Sequence, residues 1–464
     1  MSGERERQAG GLSEEARAAF AERVARVLGP EQALTGKTVA AYSPRGRAPA
    51  IVARPAYAEG VRAAVALAFE AGAAIVPWGS GSRQALGYPP ERCDLVLSLE
   101  RLTRVVTYDP ADLTITVEAG MTHAALATHL AAARQMLPLD PPLPARATLG
   151  GTIATAISGL RGALYGEPRD LVLGLRVVDV SGQMVRAGGA VVKSSTGYGM
   201  RRLYTGSLGA LGVITEASLK LVPAPEAEGT VIADCSESRQ VWEVAMRASQ
   251  LATRPAAIAA MPVAALPELT RLAPEHVSDA LLAVRLPGVA AAVTRAATSL
   301  ERMLTDAGAR PLLTLDSAVS HAFWASVHDI PALRVDPREA LVRISALPSE
   351  IMPALEAAQS LGAEHDLAPR WLADLQSGTL WLRFTEQAAA SAPSGQTFAA
   401  SLHATLTALA RRWPQTLLLA CPLPSAADIP VWGADPDTLP LMREIKRRFD
   451  PNRLLNPGRL VGHL

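Results

Sequence analysis

Ala74-Ile75-Val76-Pro77-Trp78-Gly79-Ser80-Gly81-Ser82 is the stretch on which the reading of this chain turns. An apolar run leads straight into a turn of two glycines and two serines, which reads as a buried strand ending at a ligand. Glycine lets the backbone turn sharply and approach a bound group closely. Successive free backbone N–H groups make an anion nest, and serine hydroxyls add donors. A diphosphate suits such a nest, although an isolated Gly/Ser turn is equally compatible with an ordinary connection. Gln84 stands where the third glycine of G-x-G-x-x-G belongs, and no Gly-Lys-Ser/Thr follows. A Rossmann NAD fingerprint and a Walker loop are therefore both disfavoured.

Around this stretch the pattern is mixed. SEEARAAFAERVARVL (13–28) reads as a helix capped by Ser13, and EGVRAAVALAFEAG (59–72) as a helix closed by Gly72. LVLSL, RVVTY and LTITVEAG (95–99, 104–108, 113–120) read as strands. THAALATHLAAARQ (122–135) reads as a helix, followed by the proline-rich PLDPPLP (138–144). LVLGLRVVDV and GVITEASLKLV (171–180, 212–222) are further strands flanking a region dense in Gly and Ser. After PAPEAEGT (223–230), which reads as a linker, the elements lengthen into two strand–helix–strand sets with no short-period repeat. The expected organisation is a disordered leader (1–12), a nucleotide-binding region (13–223), an α+β unit with helices on one face of a split βαβ sheet (226–435), and a C-terminal segment (436–464).

Bulk composition narrows the class. At 464 residues with 49% hydrophobic and 19% charged residues, the chain is long enough for two or three folded cores. A formal net charge of +1 supplies no field for a nucleic-acid backbone or an anionic membrane. Cys93, Cys235 and Cys421 are scattered, with no Cys-x-x-Cys, which argues against a disulfide framework or a metal cluster and suits a reducing cytoplasm. The start has no apolar core of a secretory signal, and no run of about 18 apolar residues would span a membrane.

Three more segments carry chemistry. TLGGTIATAISGLRGALYGEPRDLVLG (148–174) is rich in small residues, as a backbone lying flat on a planar ligand requires, and Arg161 and Arg169 stand near it. GGAVVKSSTGYG (188–199) holds one cation, Lys193, and GSLGALGVITE (206–216) follows. FDPNRLLNPGRL (449–460) by itself reads as a helix stop and a turn.

Together and in this order, the four segments resemble the FAD-binding PCMH-type oxidoreductases of the vanillyl-alcohol-oxidase superfamily, in the glycolate oxidase and D-lactate dehydrogenase branch. The resemblance implies an α+β fold: a two-part PCMH-type FAD-binding domain with a ferredoxin-like cap. It implies FAD held non-covalently, since the 77–82 loop offers no His or Cys for a flavin bond. It places the cofactor on Pro77, Trp78, Gly79, Ser80, Gly81, Ser82, Thr148, Leu149, Gly150, Gly151, Thr152, Ala154, Thr155, Ser158, Gly159, Gly209, Gly212, Val213, Ile214 and Asn456. It implies hydride transfer from C2 of a small 2-hydroxy acid, such as glycolate or D-lactate, to flavin N5.

Departures matter as well. The family's catalytic members carry a histidine-bearing cap motif that can ligate a metal; here Asp374-Leu375-Gln376-Ser377-Gly378-Thr379-Leu380-Trp381 stands in its place. No metal site is expected, and the chain resembles the smaller FAD-binding subunit of glycolate oxidase. Ser194 and Gly199 replace the usual Asn and Asp. A substrate carboxylate is left to Arg161, Arg169 or Lys193, and no general base is named. The alternative function is a flavin-carrying accessory subunit without turnover of its own. Flavin or iron–sulfur partner subunits are expected, as is a cytoplasmic location with membrane association only through a partner.

Overall fold

A computed structural model describes residues 12–189, 199–265, 280–330, 339–386, 397–421 and 429–464. The leader lies almost wholly outside the described residues, as does Lys193. Two small sheets build the N-terminal part. β1 (Ala33–Leu34), β2 (Ile51–Ala53), β3 (Ile75–Trp78) and β4 (Leu95–Ser98) form the first, in the order β1-β2-β4-β3. β5 (Val105–Asp109), β6 (Thr114–Glu118), β8 (Val172–Val178), β9 (Met184–Gly188) and β10 (Val213–Lys220) form the second, in the order β5-β6-β10-β8-β9. A two-residue ladder joins β7 (Gln135–Met136) to β11 (Val222–Pro223).

Local chemistry explains the helices that brace these sheets. Ser13 accepts from the Ala16 N–H at 3.2 Å and starts the helix Glu14–Leu28, whose Phe20, Val24 and Leu28 are buried. Helix Ala58–Ala71 ends on Gly72 at φ +68, whose N–H returns to the Ala68 and Phe69 carbonyls. The helix expected over 122–135 stops at Ala131. Of its remaining residues Gln135 enters the β7 ladder, because pairing with Pro223 gives its backbone groups a partner that a frayed helix end would not.

The cap is one eight-stranded antiparallel sheet built twice over. Its first half runs β12 (Ala227–Cys235), helix Ser238–Ser249, β13 (Ala257–Met261), β14 (Ala280–Gly288), helix Ala290–Asp306 and β15 (Arg310–Leu315). Helix Ser317–Asp329 follows. The second half runs β16 (Glu339–Ser345), helix Ile351–Glu364, β17 (Leu367–Asp374), β18 (Thr379–Glu386), helix Phe398–Arg412 and β19 (Thr416–Ala420). The sheet order is β15-β12-β14-β13-β17-β18-β16-β19. Each half is thus strand–helix–strand–strand–helix–strand with strands ordered fourth, first, third, second. The halves join through their second strands, at Ala259↔Asp374 and Ala260↔Ala373. The ferredoxin-like topology is present in tandem, and this duplication leaves no repeat of residues to see.

Strand alternation gives this sheet two different faces. Val231, Ile258, Val284, Val342 and Leu382 point into a core under the four long helices. Ile232, Ala259, Leu281, Leu341, Leu372, Trp381 and Leu419 point the other way, against Leu86, Ile157 and Leu160 of the N-terminal part and Trp324 and Val327 of helix Ser317–Asp329. That fifth helix departs from the expected one-sided arrangement. Its Trp324 is fully buried, and its indole donates to Thr230 Oγ1 at 2.7 Å.

The C-terminal segment returns to the first sheet. The Ile75 N–H donates to the Leu454 carbonyl at 2.7 Å, and the Asn456 N–H to the Ile75 carbonyl at 2.8 Å. Helix Leu439–Phe449 precedes this return and ends in a buried ion pair, Lys446 Nζ to Asp450 Oδ2 at 2.7 Å. Lys446 also donates to the Ala210 and Leu455 carbonyls at 2.9 and 2.8 Å. Asp450 accepts from the Leu454 and Leu455 N–H groups at 2.9 and 2.8 Å. No helix among the described residues is long and apolar enough to cross a membrane.

Candidate cofactor cleft and domain junction

β3 delivers the backbone into the turn at 79–82, and this turn is one wall of a cleft. Gly81 sits at φ +77, and a Cβ there would come within 2.5 Å of the Trp78 ring. A Cβ on Gly79 would collide with the Thr148 hydroxyl, and one on Gly209 would lie 2.9 Å from Pro77. Thr148 caps helix Leu149–Thr155 by accepting from the Gly151 N–H at 3.2 Å, and Gly150 sits tightly against Ala119. Leu208 and Asn456 hold φ +51 and +47 at the rim. Non-glycine residues in the left-handed region cluster where a site constrains the backbone.

Of the twenty residues assigned to FAD from the sequence, the six of 77–82 line this cleft, with Thr148, Gly150, Gly151, Ala154, Thr155, Gly209, Ile214 and Asn456. The other six do not. Leu149 and Val213 are fully buried in the core, and Gly212 backs onto Val177. Thr152 bonds His123 Nε2 at 2.9 Å, Gly159 backs onto Asp140, and Ser158 is buried beside it in sequence. Arg83, Gln84 and Arg459 line the cleft without having been assigned. Arg459, buried, donates to Gln84 Oε1 at 2.6 Å and to the Gln84 and Leu86 carbonyls at 2.7 Å each.

The wall of the cleft has the character of a nucleotide site. Side chains are kept out of it by glycines that no other residue could replace without collision. Asn456 Oδ1 and Arg459 Nε are buried at its wall with no hydrogen-bond partner, as is Ser158 Oγ nearby. Buried polar atoms are nearly always paired, so Asn456 Oδ1 and Arg459 Nε suit a ligand that presents a polar edge to this wall. Leu86 and Leu208 line the cleft and also pack against the inner face of the cap, so the cleft ends at the domain junction.

That junction is polar. A cavity of about 730 Å³ is lined by Asp140, Arg161, Arg285, Trp324 and His328, among others. Arg161 and the almost fully buried Arg285 share the Glu228 carboxylate, at 3.3 Å from Arg161 Nη2 and 3.0 Å from Arg285 Nε. His321 Nε2 lies 3.2 Å from the same carboxylate. Asp140 accepts from the Leu160 and Arg161 N–H groups and lies 2.8 Å from His328 Nε2. Burial works to raise its pKa, but His328, Arg161 and Arg285 together hold it below the usual range. Burial pushes His123 down to about 4, so that imidazole is neutral. Glu167, at the junction beside Gly162, is pushed up to about 7 by burial and by Asp140, despite Arg343.

Arg161 is therefore already engaged by Glu228. Arg169 is largely exposed beside Asp170, at 3.9 Å, and lines neither cavity. Sequence reading missed Asp140, Glu167, Glu228, Arg285 and His328. Asp140 had a visible signal in the proline-rich loop; the others had none. Among the described residues no cluster of three or more His, Cys, Asp or Glu side chains is arranged to hold a metal.

Residues 49–202 match the FAD binding domain family, and residues 432–460 match the FAD linked oxidases, C-terminal domain. The chain is 28% identical over 432 residues to D-2-hydroxyglutarate dehydrogenase of Xanthomonas citri pv. viticola, covering 89% of each chain. It is 38% identical to glycolate oxidase subunit GlcE of Escherichia coli over 172 residues, 37% of this chain and 49% of that one. It is 34% identical to glycolate oxidase subunit GlcD of Bacillus subtilis, over 46% of each. Among solved structures, p-cresol methylhydroxylase with substrate bound superimposes with a TM-score of 0.75 at 18% identity over 97% of both chains, which shows the fold.

Proposed function

This chain is an FAD-linked oxidoreductase, and from that premise we propose that it holds FAD non-covalently and oxidises a small 2-hydroxy acid. The observation carrying this reading is a glycine-walled cleft that ends against the cap's inner face, where a polar junction meets it. When bound, FAD supplies the two-electron acceptor. The chain's residues do the rest. Backbone at 79–82 and 150–151 would take the diphosphate, and Asn456 would satisfy another polar edge. Leu86, Ile157, Leu160 and the cap's inner face form the apolar part of the junction. Glu167, raised to about 7 by burial, lines neither cavity, so no side chain is assigned to accept the substrate's hydroxyl proton.

Turnover by the chain itself is favoured over a purely carrying role, since the relative matched over 89% of its length is named a dehydrogenase. The substrate class is argued from that name and from the glycolate oxidase subunits. GlcD and GlcE are named as subunits, and the three cysteines here are buried and separate, which leaves no four-cysteine cluster site. We therefore infer that electrons leave through a partner subunit bearing a flavin or an iron–sulfur centre.

One set of measurements tests the reading. The purified protein should be yellow, acid should release FAD, and 2-hydroxy acids should bleach it or reduce an artificial acceptor. Purification from the native source under mild conditions should bring a second redox subunit along. A preparation that stays colourless in excess FAD ends the proposal. Rapid turnover with oxygen by a chain that elutes alone ends the partner inference.

A further inference from the structure

The polar cavity at the domain junction is a space of its own. It shares no lining residue with the cofactor cleft. Helix Leu149–Thr155 stands between the two. Its Gly150, Gly151, Ala154 and Thr155 line the cleft, while its Thr152 bonds His123, which lines the cavity. A molecule that reacts at the cofactor is therefore not what this cavity holds. At about 730 Å³ it has the size of a small-molecule site, which runs from about 300 to 1,000 Å³.

The lining decides what would fit. Leu126, Met136, Leu137, Leu139 and Trp324 give it apolar surface, and Arg161 and Arg285 give it donors. Arg285, only 2% exposed, leaves Nη1 without a hydrogen-bond partner, and Arg161 leaves Nε so. Arg161 Nη1 meets the Met136 thioether at 3.6 Å, a weak acceptor. Donors are thus in surplus, but charge is already balanced. The two guanidiniums share Glu228, and Asp140, 2.8 Å from His328, adds a second carboxylate. A ligand bringing a third carboxylate would stand among like charges and find no uncompensated cation. A neutral carbonyl oxygen accepts the spare N–H groups without that cost.

We propose that this cavity is a second ligand site, for a neutral and mainly apolar molecule that carries a carbonyl oxygen. Its occupant touches both domains: helix His123–Ala131 and Arg161 on one, Arg285 and helix Ser317–Asp329 on the other. Binding fastens the cap to the cofactor domain and stabilises the docked arrangement by mass action. Nothing in the site depends on whether the cleft holds FAD.

Methyl naphthyl ketone is the probe, titrated by calorimetry into both the flavin-free and the FAD-loaded protein. Naphthoate, of the same shape but with a carboxylate, is the comparison. The ketone should bind both forms of the protein alike, raise the melting temperature, and bind at least about 10-fold more tightly than naphthoate. Arg161→Met should weaken the ketone about 10-fold, the loss of a donor. Ala325 is exposed on its helix and lines the cavity, so Ala325→Trp should fill the space and abolish binding with a wild-type circular dichroism spectrum. If Arg161→Met does not fold, Ala325→Trp decides alone. Ketone affinity unchanged in Ala325→Trp, or no ketone binding by the wild-type chain, overturns the site. Naphthoate binding as tightly as the ketone overturns the neutral class. A ketone that FAD displaces belongs to the cleft, which overturns the second site and leaves the flavin reading intact. Ala325-dependent ketone binding in a protein that never takes FAD supports the site and sinks the flavin reading.

Discussion

Gly81→Val should strip the protein of FAD, with binding weakened at least about 100-fold, while the far-ultraviolet spectrum stays close to wild type. Two independent costs meet at this residue. Its φ of +77 is one that a β-branched side chain adopts only under strain of about 1–3 kcal/mol or more. Its new Cβ would also press on the Trp78 ring at 2.5 Å, and that ring is itself buried on β3. Gly79→Val should act in the same direction for a different reason: its φ is ordinary, but its Cβ would strike the Thr148 hydroxyl, which caps the helix on the opposite wall. The measurement is FAD released per mole of protein, beside circular dichroism and a melting curve. Gly81→Ala, with less bulk at the same φ, should lie between. Wild-type flavin content in both valine variants would falsify the assignment of this turn to the diphosphate.

Lys446→Met is the second large effect. The ammonium neutralises Asp450 and ties three parts of the chain together: its own helix, the Ala210 carbonyl and the Leu455 carbonyl. Removing one partner of a buried pair leaves the other charge uncompensated, at a cost of about 3–5 kcal/mol. The expected result is a loss of that size in the first denaturant transition, with weakened FAD binding, because Asn456 is positioned by the same segment. Asp450→Leu combined with Lys446→Met removes both charges and should be less damaging than Lys446→Met alone. If the single variant falls within about 1 kcal/mol of wild type, the pair is not the anchor described.

What the sequence displayed, and what it hid, follows from how each part of the site is made. The cofactor cleft is built from backbone, and backbone contact demands small residues in continuous runs, so 77–82, 148–155 and 206–214 were legible. Asn456, assigned from its place in the C-terminal motif, lines the cleft. The junction is built from side chains far apart in the chain. Arg161 meets Glu228 67 residues on, and Arg285 meets it from 57 residues away. No spacing rule marks such pairs. Lys446 looked like one more solvated cation in LMREIKRRF; only its i,i+4 relation to Asp450 hinted otherwise. The cap's strands and helices were readable from period, but their duplication was not, because it repeats an order of elements and no motif. The helix over 122–135 was read too long for a related reason: its end was decided by a partner strand 88 residues later (223 against 135).

The return of residues 454–456 to β3 imposes an order on biosynthesis. During translation, the first half of the cap can close its four strands as soon as residue 315 has emerged, and the second half as soon as residue 420 has. The cleft cannot. β3 is made before either half, yet its edge stays open until Leu454 and Asn456 arrive to pair with Ile75. Asn456 also completes the wall. The cleft is thus among the first parts encoded and among the last assembled, so on the proposed reading cofactor capture belongs to the finished fold and not to the nascent chain.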